Sequence, residues 1–221
     1  MYDEDHFSII NGCLKSPFRL ICSGPSQSGK STFVCDLIYN KNALIDKEID
    51  YIIWFYGQQK PNYNFKSIDI DFIHGLPEAF DSFIKEGETG LFIFDDLLTE
   101  ASDSKIVSDF FTKRSHHENI NIIFITQNFF QKGSNRITMA KNCTYIALFN
   151  NPLDRSLAYS FAKKLMPTNQ KCFIDMYNFA LSRPHGYLFL DGAQDSVPQM
   201  RYRHDIINDL NIQKVLIPNK I

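Results

Sequence analysis

Between a short apolar run and a helical one stands Gly24-Pro25-Ser26-Gln27-Ser28-Gly29-Lys30-Ser31, a complete GxxxxGK[ST] motif. The run before it, FRLICS (18–23), is rich in strand formers. Residues 30–40 after it place Phe33, Leu37 and Ile38 on one helical face. A strand, a glycine-bearing turn and a helix, in that order, commit the chain to an α/β architecture at its start. The spacing has a chemical reason. Glycines let the backbone curl tightly, and the resulting nest of N–H groups at a helix N-terminus cradles phosphate oxygens. Residues Gly24, Ser26, Gln27, Ser28, Gly29, Lys30, Ser31 and Thr32 are therefore the expected nucleotide-binding set. In it, Lys30 meets the β- and γ-phosphates, the Ser31 hydroxyl ligates Mg²⁺ and Thr32 reaches the α-phosphate. ATP and Mg²⁺ are the implied ligands.

The rest of the chain repeats the alternation. Further apolar runs are YIIWFYG (51–57), GLFIFDD (90–96), INIIFITQN (120–128), TYIALFN (144–150) and GYLFLD (186–191). Helical patterns fall at 79–86, 102–114, 153–166 and 169–181, and MRYRHDI (200–206) alternates like an edge strand. Strands apolar throughout are buried on both faces, as in a parallel sheet covered by helices. The expected fold is a P-loop NTPase with a mostly parallel central sheet flanked by helices. It is expected to fill residues 1–221 as one domain, with a core at about 15–205 and short terminal extensions.

Two strand ends carry further chemistry. GLFIFDD delivers Asp95 and Asp96 at its C-terminal tip, the side on which open α/β sheets bind ligands. Asp95 is the candidate Mg²⁺ partner beside Ser31, and Asp96 the candidate for polarising the attacking water, with Glu100 a weaker rival. Thr126, Gln127 and Asn128 end another buried strand, and Gln127 suits a water-orienting or γ-phosphate-sensing role.

Charge and cysteine content exclude several classes. The 221 residues have a net charge of −2, too near neutral for a basic DNA-coating protein. The total hides a split, with residues 1–112 at −9, 113–171 at +7 and 172–221 at zero. A segment that basic suits a polyanion. The acidic start is no signal peptide, and no apolar stretch approaches the roughly 18 residues of a membrane span. Cys13, Cys22, Cys35, Cys143 and Cys172 are scattered and form no CxxC, which suits reduced thiols in an intracellular, non-secreted protein.

Taken in order, GPSQSGKS, IIWFYGQQKPNY, FIFDDLLTE, SHHENINIIFITQN, YIALFNNPLDR and RPHGYLFLD resemble the viral genome-packaging ATPases of the FtsK–HerA superfamily. The compact versions in poxvirus-like viruses, virophages and Polinton/Maverick elements look most similar. The resemblance spans roughly residues 15–205. It implies an ATP-hydrolysing, homo-oligomeric ring, pentameric or hexameric, that threads double-stranded DNA into a capsid at the site of virion assembly. Implied partners are the DNA backbone and a capsid or portal protein, with no membrane. It places Lys30, Ser31 and Asp95 at nucleotide and metal, and Asp96 and Gln127 at catalysis. Arg136 becomes the finger that completes a neighbour's site, with Arg155 and Arg114 as alternatives. Lys132 is the first candidate for gripping phosphate in the pore. The alternative is a monomeric P-loop NTPase or a nucleotide kinase. A kinase shares the strand–loop–helix start, but it usually adds an Arg-rich lid, and the sequence has none.

Overall fold

Alternation along each central strand sends side chains to opposite faces, and here both faces are apolar. In β5 (Gly90–Asp95), Phe92 and Phe94 enter one hydrophobic layer while Leu91 and Ile93 enter the other. In β6 (Ile120–Thr126), Ile122 and Phe124 divide in the same way from Ile123 and Ile125. A strand with no wet face must be covered on both sides, and helices do this. The computed structural model describes residues 8–9, 13–58, 60–61, 65, 68–97, 104–127, 129, 141–207 and 213–218.

One ten-stranded sheet results. Its strands are β1 (Ser8–Ile9), β2 (Arg19–Ser23), β3 (Tyr51–Tyr56), β4 (Asp71–His74), β5, β6, β7 (Tyr145–Phe149), β8 (Tyr187–Asp191), β9 (Tyr202–His204) and β10 (Gln213–Val215). The spatial order is β1-β10-β9-β8-β7-β2-β6-β5-β3-β4. From β7 to β4 every pairing is parallel. From β7 through β8, β9 and β10 to β1 every pairing is antiparallel. The mostly parallel, helix-flanked sheet expected from the sequence is present.

On one face, α1 (Lys30–Tyr39) and α2 (Lys41–Leu44) pack Phe33, Val34, Leu37, Ile38 and Leu44 against Trp54 and Ile93. On the other lie α3, which starts at Lys105–Asp109, α4 (Ser156–Leu165) and α5 (Gln170–Ala180). Much of the phenylalanine goes here. Phe55, Phe94 and Phe124 stack across three strands at 5.0 and 4.7 Å between ring centroids. Phe110 of α3 stacks on Phe80 at 4.3 Å. Asn121 is the polar exception inside β6. It accepts from the Phe18 N–H at 3.1 Å and donates to the Gly90 carbonyl at 3.1 Å, tying three segments together.

Three expectations need correction. Residues 79–86 form only a single 3-10 turn at Asp81–Phe83, because the segment's task is to insert Phe80 into the aromatic layer. The 102–114 helix is α3, which runs on through a π-helical turn at Phe110–Arg114 to Ser115–His117. Residues 200–206 supply β9, which is not an edge, since β8 and β10 flank it. Two of its alternating charges, Arg203 and Asp205, are buried, and Arg203, only 1% exposed, pairs with Asp191 at 2.9 Å. The edge on the parallel side is β4, too short and polar for the sequence pattern to reveal.

Candidate functional site

Strand order builds the site. β6 lies between β2, which leads into the phosphate loop, and β5, which ends in the two aspartates. The Gly24 N–H donates to the Thr126 carbonyl at 3.2 Å, and the Asp96 N–H donates to the Ile125 carbonyl at 3.1 Å. Loop, polar tip and acids thus converge on the end of one strand.

Within the loop, both motif glycines are needed. A Cβ on Gly24 would lie 2.6 Å from the Phe149 Cβ. Gly29 has φ +101°, a left-handed conformation that favours glycine, and a Cβ there would press on His185. Gln27 is also left-handed, at φ +63°. Lys30 opens α1, is 7% exposed and donates from Nζ to the Pro25 carbonyl at 2.7 Å. That bond folds the ammonium back across the loop. Burial pulls the Lys30 pKa down, and Asp96, Cys22 and Asp95 pull it back up. Ser31 is half-buried, and Thr32, Ser26 and Gln27 are exposed.

Asp95 ends β5 half-buried, with its carboxyl pushed up to about 6. Burial is the main cause, repulsion from Asp96 adds to it, and the Trp54 indole and Lys30 partly offset it. This carboxyl is short of positive charge. A divalent cation supplies such charge, and Mg²⁺ is bound by one or two carboxylates together with substrate oxygens and water. Asp95 and Ser31 fit that donor set. Among the described residues, no group of three His, Cys, Asp or Glu offers an all-protein cage.

Asp96 is exposed and left-handed at φ +54°, a conformation uncommon outside glycine and concentrated at functional sites. Its Oδ2 accepts from Gln127 Nε2 at 3.4 Å. The pair that the sequence placed in separate motifs is therefore in contact, next to the loop lysine.

The arginines divide. Arg114 binds Asp81 at 2.9 Å and Glu118 at 3.6 Å. Arg155 Nη1 donates to Asn178 Oδ1 at 2.6 Å. Arg136, Lys132, Asn128 and Glu100 lie outside the described residues. Lys141, Lys163, Lys164 and Lys171 are exposed.

Two contributors escaped the sequence reading. Trp54 tunes Asp95 from the neighbouring strand β3. Its signal was a lone indole, with an N–H needing a partner, in a wholly apolar strand. The turn at 183–185 packs against Gly29. Its signal was an Arg-Pro-His-Gly run just ahead of a strand.

No protein-family model matches the sequence, and no curated protein does so. Solved structures do match in fold. B204, the DNA-packaging ATPase from Sulfolobus Turreted Icosahedral Virus, superposes with a TM-score of 0.53 at 15% identity, covering 94% of this chain and all of that one. The genome packaging NTPase B204 from Sulfolobus turreted icosahedral virus 2, in complex with ATP-gammaS, gives 0.52 at 13% identity, covering 92% and 98%. The chain shares the fold of these P-loop NTPases over nearly its whole length.

Proposed function

We propose that the chain is a Mg²⁺-dependent ATPase that drives double-stranded DNA into a viral capsid as a homo-oligomeric ring. The observation that carries this reading is the Gln127–Asp96 contact at the tip of β6 and β5, beside Lys30 and the phosphate loop. A site that only binds nucleotide needs the loop and its lysine. One that hydrolyses it also needs an acid and an orienting amide where the terminal phosphate ends. The strand order brings Asp96 and Gln127 together at that end of the sheet, which supports the reading.

In this mechanism the loop amides and Lys30 hold the β- and γ-phosphates. Ser31 and Asp95 would hold Mg²⁺, which would neutralise charge on the phosphate oxygens. Gln127 fixes the carboxylate of Asp96, which accepts a hydrogen bond from the attacking water and takes up its proton. Arg136 is the finger that the resemblance assigns to a neighbouring subunit; its alternatives, Arg114 and Arg155, bind Asp81 and Asn178 within the chain. The basic segment 113–171 faces DNA phosphates without reading sequence.

The direct test is the ATPase rate of a sample of measured mass, with and without double-stranded DNA at low salt. The expected result is an oligomer whose rate rises with DNA. A monomer with a DNA-independent rate would point to the alternative, a solitary NTPase or nucleotide kinase.

A further inference from the structure

Three elements meet on one carboxylate oxygen. Asp205 directly follows β9 and is 5% exposed. Its Oδ2 accepts from Arg183 Nη1 at 2.7 Å, and His204 Nδ1 and Lys214 Nζ each lie 3.3 Å away. Arg183 belongs to the turn before β8, His204 to β9 and Lys214 to β10. β10 in turn pairs with β1, Ser8 opposite Lys214, at the end of the sheet.

The turn bears on the phosphate loop. The Gly186 N–H donates to the Arg183 carbonyl at 3.0 Å and closes the turn, inside which His185 packs on Gly29. A second route runs beside this one. The Ile206 N–H donates to Tyr187 Oη at 2.9 Å, and the Tyr187 ring sits edge-on to Phe33 of α1, with 4.8 Å between centroids. Adjacent residues, Asp205 and Ile206, thus brace both the second motif glycine and the helix that the loop opens. Backbone strain marks the two joints. His185 has φ +58° and Asp205 φ +50°, left-handed conformations that persist only where surrounding contacts enforce them and that gather at switch regions. The Arg183 side chain is 61% exposed, so its bond to Asp205 competes with water and can open without dismantling a core.

We propose that Asp205 is a positioning residue that couples the phosphate loop to β10, so that nucleotide held on the loop tightens the terminal strand pair β10–β1. The inference rests on the phosphate-loop reading above, and it adds an element far from the phosphates that responds to them. By linkage, the segment that nucleotide tightens also favours the nucleotide-holding form of the loop.

Hydrogen exchange of the full chain, with and without saturating Mg-ATP, tests the coupling. The probes are the amides of α1, beside the loop, and those of 214–216, where the Leu216 N–H donates to the Tyr202 carbonyl at 2.7 Å. In the wild type Mg-ATP is expected to slow both, the 214–216 amides by about fivefold or more, the low end of ordinary coupling between sites. In Asp205→Asn, and in Lys214→Met, which cuts only the outer arm, the slowing is expected to persist at α1 and to vanish at 214–216. If Asp205→Asn does not fold, Lys214→Met carries the test. Slowing at 214–216 that survives both substitutions overturns the proposal, because it then reflects stabilisation of the whole domain. Slowing at α1 with none at 214–216 in the wild type also overturns it, while leaving the phosphate loop intact. No slowing at either place overturns the loop reading, and this inference with it.

Discussion

At the tip of the parallel half of the sheet, Asp95 is a carboxyl pushed up to about 6; beyond the antiparallel half, Asp205 is one pulled down to about 2. Both are acids at strand ends in the same chain. They differ in their company. Asp95 is half-buried beside a second carboxylate, with Lys30 as a weak counterweight. Asp205 takes a hydrogen bond from His204 and lies within ion-pair distance of Lys214 and Arg183. The antiparallel extension satisfies its charges internally, as the Arg203–Asp191 pair also does. The parallel half keeps its strands apolar and gathers its charges, under-compensated, at the tips. An acid left short of positive charge costs stability, and such costs are tolerated where a ligand will supply what is missing.

The comparison breaks most sharply at Lys30. Lys30→Ala removes the only cation that offsets Asp95 in the described site, and with it the charge proposed to meet the phosphates. Turnover is expected to fall by roughly a thousandfold or more, as for the loss of a pre-organised electrostatic group. The change in unfolding free energy is expected to stay near ~1 kcal/mol, since no packed hydrophobic core is lost. Steady-state ATPase assays with denaturant melts check both. Near wild-type turnover would move the chemistry away from the loop.

Asp96→Asn comes next. It keeps the left-handed backbone, which Asn tolerates, and the approach of Gln127, but removes the acceptor charge. Turnover is expected to fall by about a hundredfold or more, as when a general base is lost, with Mg-ATP affinity kept within about threefold. Loss of Mg-ATP binding instead would reassign Asp96 to the metal.

How much of this was legible depended on distance along the chain. The phosphate loop and the Asp95–Asp96 tip are local: a glycine spacing and an apolar run ending in acids name them without a fold. The parallel sheet followed from strands with no polar face. The Gln127–Asp96 contact required the strand order, because nothing in the sequence says that β6 lies between β2 and β5. Arg183 and Asp205 are 22 residues apart, and they meet only because β8 and β9 pair, so neither residue announced a role. β9 misled because alternating charge usually marks a wet strand, whereas Arg203 and Asp191 neutralise each other inside.

The smallest effect is the one that tests the contrast itself, through pH. Asp95 rises from 3.8 to about 6 on folding, so between those values the native state holds a proton that the unfolded chain has released. Stability therefore falls as pH rises through that window. Asp95→Asn lacks this loss and should be more stable than wild type at pH 7.5 by ~1–2 kcal/mol, the two-unit shift discounted for partial solvent screening. Asp205 has the opposite sign. Its folded value lies below 3.8, so its contribution is present above that pH and is lost as pH falls toward about 2. Asp205→Asn should be less stable than wild type at pH 7.5, with the gap closing in acid. Denaturant melts of the three proteins from pH 2 to 7.5 give both slopes. If the two variants shift in the same direction at pH 7.5, the two ends of the sheet do not treat their acids differently. If they shift oppositely, saturating Mg-ATP should erase the advantage of Asp95→Asn, on the proposal that the Asp95 carboxylate is the one that holds the metal.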